Sequence, residues 1–382
     1  VGVVEFGTRA VTGCKLGAYG LVPGIHFAHS RFTSCEAPTA TPLHRFLRLR
    51  GSQPAAGISG TNPPIHWCLR MWKKSIMRIV DAHAHIFPKV QGRVGAGPTK
   101  GLGYGRMQVG SEVIQLMPAH NEETVYSDEM LLANMDWAGV ERAVLLQGAF
   151  YGACNEYAKD AARRYPDRLQ AVAYLDPWRE DLRAQWAGVA DFAAVKMECS
   201  VKTGFCGLYP GARIDDPELL WLWDALEESG KVLVLDLGHI GGASYQTAAV
   251  RDIAVRHEGL HVVIAHLAQP APQMAADDEL ARIWREQIDL GRLANVYFDT
   301  AALPAYLSDE TYPYPTTRNW LEEAIGRIGA EKVLWGTDQP GLLGRMNLPQ
   351  LLRLAEAQLD FLTADERARV MGHNALAVYG AG

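Results

Sequence analysis

The segment Asp81-Ala82-His83-Ala84-His85 closes a short apolar run, Arg78-Ile79-Val80, and precedes Ile86-Phe87-Pro88. In an extended strand, side chains two residues apart share a face. His83 and His85 are therefore expected to project together, with Asp81 below them. Two neutral imidazoles side by side are half of a first-row metal site. In a solvated strand the same pair would be ordinary surface residues, so the rest of the chain has to decide.

Other apolar runs also end in groups able to do chemistry. Strands are expected near 78–83, 142–147, 169–175, 193–198, 231–236, 260–266, 295–299 and 332–336. Most read as unbroken Val, Ile, Leu and Ala, as in Val232-Leu233-Val234-Leu235, which is the pattern of parallel strands buried on both faces. The second run ends in Gln147 and the fourth in Lys196-Met197-Glu198. The fifth ends in Asp236 with His239 three residues on, the sixth in His266, the seventh in Asp299-Thr300 and the eighth in Gly336-Thr337-Asp338.

Helices are expected between them, near 128–137, 218–228, 245–257, 278–289, 317–328 and 349–361. Gly139 and Gly230 stop two of these, and Pro217 starts one. Strands alternating with helices fit a single α/β domain over 77–382, a (β/α)8 TIM barrel whose site residues gather at the C-terminal ends of the strands. A doubly wound sheet is the competing layout, but no GxGxxG follows the first strand. In the barrel, imidazoles from strands one and six and carboxylates from strands five and eight converge. Such a cluster needs a cation or shared protons.

The connection over 89–126 leaves the strand that carries the paired histidines. It holds Gly92, Gly95, Gly97, Gly101, Gly103, Gly105 and Gly110. A loop of that length is expected to be a lid, with Arg106 and His120 as candidates to meet substrate.

The 382 residues are 48% hydrophobic and carry a net charge of −6. That charge hides an asymmetry, because residues 1–76 sum to +7 and residues 77–382 to −13. A body this acidic is not expected to bind nucleic acid, and no apolar run is long enough for a membrane span. Residues 1–76 lack clear periodicity and read as a disordered or over-extended leader, with Met71 or Met77 as the natural start; an acid-poor, Arg-bearing leader also suits a transit peptide. Six cysteines (14, 35, 68, 154, 199 and 206) show no CxxC spacing, as expected for a reducing, cytoplasmic setting. Apolar surface in the long connection would suit a homodimer.

The body resembles the amidohydrolase superfamily, in the branch that includes aminocarboxymuconate-semialdehyde decarboxylase, resorcylate-type decarboxylases, hydratases and lactonases. Asp81 to His85, Val263-Ile264-Ala265-His266-Leu267, Val333-Leu334-Trp335-Gly336-Thr337-Asp338-Gln339-Pro340 and Gly372-His373-Asn374-Ala375 carry the resemblance over roughly 77–380. It implies one divalent metal ion, zinc with manganese as the alternative, held by His83, His85 and Asp338, usually with a histidine ending strand five. Here Asp236 stands in that place. Asp236 is the preferred fourth ligand; His239 swinging back, or weak or absent metal binding, are the alternatives. Some members carboxylate a lysine on strand four, but Lys196 is expected to stay unmodified, with Glu198 as a pocket acid or its ion-pair partner.

The functional expectation is a metal-dependent hydrolase acting on a small cyclic, amide or carboxylate-bearing substrate through a metal-activated water. Asp338 would shuttle the proton and His266 would serve as general acid/base. Arg106, Gln147, Lys196, Glu198 and His239 would contact substrate. Non-oxidative decarboxylation of an aromatic or unsaturated acid is the alternative, favoured if a pocket arginine such as Arg106 binds carboxylate. A barrel without turnover is a third possibility, supported only by Asp236.

Overall fold

The computed structural model describes residues 77–380, which lie in one compact unit. The leader reading falls on 1–76 and lies outside the described residues. Eight strands build the barrel: β1 (Val80–Ala84), β2 (Arg142–Leu145), β3 (Leu169–Ala171, resuming at Ala173–Tyr174), β4 (Ala194–Glu198), β5 (Val232–Asp236), β6 (Val262–Ile264), β7 (Val296–Asp299) and β8 (Val333–Leu334). Each pairs in parallel with the next in sequence. β3 passes the ladder on across Val172, whose N–H donates to Leu145 O, while Leu175 N–H donates to Lys196 O. The ring returns to its start where Ala82 N–H donates to Trp335 O, Asp338 N–H to His83 O and His85 N–H to Gln339 O.

Unbroken apolar strands fill two cores. Val80, Ala82, Val144, Leu146, Val172, Ala194, Val232, Val234, Val263 and Leu334 pack inside the barrel, with Ala375, Val378 and Tyr379 of the closing helix Asn374–Tyr379 beneath them. The alternate residues, such as Leu145, Val195, Leu233 and Phe298, pack outward against the helices. Each fully buried Val, Leu or Phe is worth about 1.5–3 kcal/mol, so the barrel floor is a rigid base for the residues above it.

Helix ends follow local chemistry. The helix Asp128–Ala138 starts where Ser127 accepts from Met130 N–H and stops at Gly139, whose φ of 77° suits glycine. Leu348–Gln358 begins with a reciprocal Asn347/Gln350 capping box. Two helices not read from the sequence, Asn155–Arg164 and Leu182–Gly188, follow β2 and β3. No helix of the described residues is long and apolar enough to cross a membrane.

The lid is not an irregular loop. Strands Arg93–Val94, Gly97–Gly103, Arg106–Val109 and Glu112–Gln115 form an antiparallel four-stranded flap. Gly110, at φ 58°, makes its last tight turn and sits so close to Ala96 O that a side chain there could not fit.

Candidate metal centre and cavity

A bulge sets the two histidines. Val80 and Asp81 oppose Arg142 and Ala143, but Ala84 already opposes Leu145, so β1 carries one extra residue there. The bulge shifts the pleat. Val80 and Ala82 belong to the barrel floor, and His83 and His85 then continue the inward face. Asp81 does not lie below them as the simple alternation suggests. Its carboxylate turns towards the end of β8, accepting from Thr337 N–H at 2.9 Å, from His83 N–H at 3.1 Å and from the Thr337 hydroxyl.

The imidazole partners fix which nitrogen carries the proton. His83 Nδ1 lies 3.0 Å from Asp299 Oδ2. A carboxylate only accepts, so this contact favours the proton on Nδ1. His85 Nδ1 meets the Leu146 carbonyl and donates for the same reason. In the neutral rings both Nε2 lone pairs are then free. His85 Nε2 lies 2.9 Å from Asp338 Oδ1, and His83 Nε2 lies 3.7 Å from the same oxygen with no hydrogen-bond partner, fully buried.

Three acceptors facing one point repel one another unless a proton or a cation stands there. Burial disfavours the proton. It pushes His83 well below the usual histidine range, helped by Lys196, His266 and His85, and it lowers His85 against the opposing pull of Asp338. Burial also opposes ionisation of Asp338, but the imidazoles around it, His85 first and then His266 and His83, outweigh burial and hold that carboxyl low. Neutral imidazoles and a carboxylate are the ligating forms. The three groups lie within 4.8 Å of one another, a spacing that suits one divalent ion. A second group of that spacing, His83, His266 and Asp299, contains the Nδ1 bond just described.

His266 is set differently. It opens a left-handed turn over His266, Leu267, Ala268 and Gln269, with φ of 59°, 51°, 56° and 47°. Each such non-glycine residue costs about 1–2 kcal/mol. Bonds from His266 N–H to Asp299 Oδ1 (2.9 Å), from Trp284 Nε1 to Leu267 O (2.9 Å) and from Tyr245 Oη to Ala268 O (2.9 Å) hold the turn. His266 Nδ1 donates to Ala301 O at 3.1 Å, and Nε2 lies 3.3 Å from Asp236 Oδ2. Burial lowers its pKa, but Asp236 first, then Asp338 and Asp299, outweigh burial and raise it to about 9. Asp236 at 3.3 Å thus favours the doubly protonated form of His266, which a divalent cation nearby would oppose.

The sequence candidates therefore separate. His83, His85 and Asp338 meet at one point. Asp236 is turned to His266, Gln269 Nε2 (3.0 Å) and Gly238 N–H (3.1 Å) instead. Exposed His239 folds over Gly242 at the cavity rim and is not in the ligand group. Buried Lys196 and Glu198 occupy successive inward positions of β4 and line the cavity. Burial raises Glu198 to about 7, with Lys196 opposing and Asp236 adding. Its carboxylate needs Gly148, where a Cβ would stand 2.6 Å from Oε2.

Arg106 and Gln147 are corrections. Along the flap strand Met107 takes the inward position, so Arg106 is exposed and does not line the cavity. Exposed His120 does not line it either. Gln147 is fully buried, its amide atoms have no hydrogen-bond partner, and it does not line the cavity. The cavity holds about 360 Å³. Met107, Ile114 and Leu116 of the flap, with Phe150, Tyr151 and Tyr306, give it apolar and aromatic walls; Ser200, Lys202, Thr203 and Gln269 add polar edges. Sequence reasoning gave no role to these residues or to Asp299. Only Asp299 left a signal, as a carboxylate ending an apolar run.

The family model described as amidohydrolase matches residues 80–381. No curated protein sequence matches the chain. Among solved structures, an amidohydrolase from Burkholderia multivorans, one crystal form of which has bound zinc, is 17% identical with a TM-score of 0.59, covering 79% of this chain and 99% of that one. A protein classed provisionally as a 2-pyrone-4,6-dicarboxylic acid hydrolase, from Pseudomonas putida, is 17% identical with a TM-score of 0.55, covering 80% and 98%. A 2,6-dihydroxybenzoate decarboxylase from Rhizobium is 17% identical with a TM-score of 0.50, covering 67% and 89%. At these identities the structural likeness establishes the barrel fold.

Proposed function

Because this chain belongs to the amidohydrolase family, whose metal-dependent enzymes include hydrolases and carboxy-lyases, we propose that it hydrolyses a small cyclic ester or amide-like substrate. The observation that carries this is the convergence of His83 Nε2, His85 Nε2 and Asp338 Oδ1 beside a 360 Å³ cavity. Three protein donors facing an open space leave a position for water or substrate oxygen. A divalent cation bound there, zinc in our reading, supplies Lewis acidity and brings the pKa of water towards neutrality.

The chain's own residues do the rest. His83, His85 and Asp338 would hold the cation, and Asp338 would accept a proton from water in the cavity. His266, protonated at Nε2 beside Asp236, donates a proton to the leaving atom. Lys196 offsets the charge of Asp236 and Glu198 and orients substrate. The flap residues Met107, Ile114 and Leu116 exclude bulk water from the cavity.

Decarboxylation is the second reading, and Lys196 and Lys202 on the cavity wall support it as partners for a carboxylate. The arginine that would have strengthened it, Arg106, faces away. A barrel without turnover rests on Asp236 alone, and His83, His85 and Asp338 lie within reach of one ion without it. The test is metal-loaded protein assayed on lactones, cyclic amides and aromatic acids, reading acid release and CO2 separately. Metal-dependent acid release without CO2 is the expected result. CO2 release with no hydrolysis would replace it with the second reading.

A further inference from the structure

Asp299 touches His83 and His266, two of the three site histidines, and is neither in the His83, His85 and Asp338 group nor on the cavity wall. It ends β7, fully buried. Oδ1 accepts from His266 N–H at 2.9 Å and from Ala301 N–H at 3.0 Å, while Oδ2 faces His83 Nδ1 at 3.0 Å. The other ring nitrogen of His83 is the buried atom without a partner. We propose that Asp299 is a positioning residue that fixes the His83 tautomer, keeping the proton on Nδ1 so that Nε2 presents its lone pair to the metal, and that it ties this ligand to the backbone of His266.

The alternatives are limited by geometry. His83 is fully buried, and its Nδ1 has Asp299 as its partner. If Nδ1 lost its proton, two acceptors would face each other 3.0 Å apart, and Nε2 would carry the hydrogen into the ligand point. A carboxylate behind a ligating histidine also raises ligand basicity, and losing such a group typically weakens metal binding about 10- to 100-fold. The inference rests on the metal reading of His83, His85 and Asp338, but its most direct test needs no metal.

The informative variant is Asp299→Asn, which is isosteric. Its carbonyl oxygen can keep both backbone bonds of Oδ1, and its amide then meets Nδ1 as a donor. Donor against donor drives His83 to the Nε2–H form, the inversion known when asparagine replaces the aspartate behind a catalytic histidine. In metal-free wild-type protein, ¹⁵N–¹H NMR of the imidazoles is expected to show His83 protonated at Nδ1. In Asp299→Asn the proton moves to Nε2, the melting temperature stays near wild type, and chelator competition shows metal affinity down by about 10- to 100-fold.

A wild-type His83 protonated at Nε2 would overturn the proposal whatever the variants do. So would an Asp299→Asn protein that binds metal as tightly as wild type. Failure of metal to bind wild-type protein at all, with the Nδ1–H tautomer present, would instead overturn the metal reading and leave the Asp299 contact standing.

Discussion

Asp81 gives the sharpest stability test, because its carboxylate joins the first strand to the segment that follows the last one. Asp81→Ala removes the acceptor of two buried backbone N–H groups, those of His83 and Thr337. A buried donor left without a partner costs about 1–3 kcal/mol, so the two together cost roughly 2–6 kcal/mol. A barrel of this size loses about 2 °C per kcal/mol, and a mid-range loss lowers the melting temperature by roughly 8 °C.

Asp81→Asn keeps an oxygen for both N–H groups and removes a buried charge, so it should melt close to wild type near pH 4 and above it at neutral pH. The two variants also separate in pH. Burial raises the folded pKa of Asp81 from 3.8 to about 7, against the hydrogen bonds from Thr337, His83 and Gln339. The folded state therefore binds the proton more tightly than the unfolded state, and stability falls as pH rises through that window. Wild type should lose stability relative to Asp81→Asn between about pH 4 and pH 7, with no further change above it. Thermal unfolding of the metal-free proteins by circular dichroism reads both effects. An Asp81→Ala protein melting within about 2 °C of wild type, or a pH-independent gap to Asp81→Asn, would refute the reasoning.

His83→Ala should remove bound metal and turnover together; stoichiometric metal in the purified variant, measured by elemental analysis, would count against the ligand assignment. His266→Ala should keep its metal and lose turnover by about 10²- to 10⁴-fold, the usual size of a general acid contribution. Near wild-type rates in that variant would remove His266 from the mechanism.

The sequence carried the barrel well, because parallel strands must be apolar on both faces and so stand out as unbroken runs. Val232 to Leu235 and Val262 to Ile264 are plain cases. It also placed polar groups at the strand ends, since a barrel leaves those positions to face one rim. Less legible was anything set by pairing register. The bulge between Asp81 and Ala84 depends on the β2 partner and turns Asp81 away from the histidines. The flap looked like a loop because its strands are short and its glycines frequent, yet the alternation Arg106-Met107-Gln108-Val109 held the answer to which residue faces in. The contact between Asp236 and His266 could not be read at all, because it depends on a left-handed turn made by four residues without a glycine.

The most direct test is a crystal structure of the metal-loaded protein with anomalous scattering recorded at the zinc and manganese edges. One peak should stand between His83 Nε2, His85 Nε2 and Asp338, about 2.0–2.2 Å from each. Those side chains turned apart, or a peak bound only elsewhere, would contradict it.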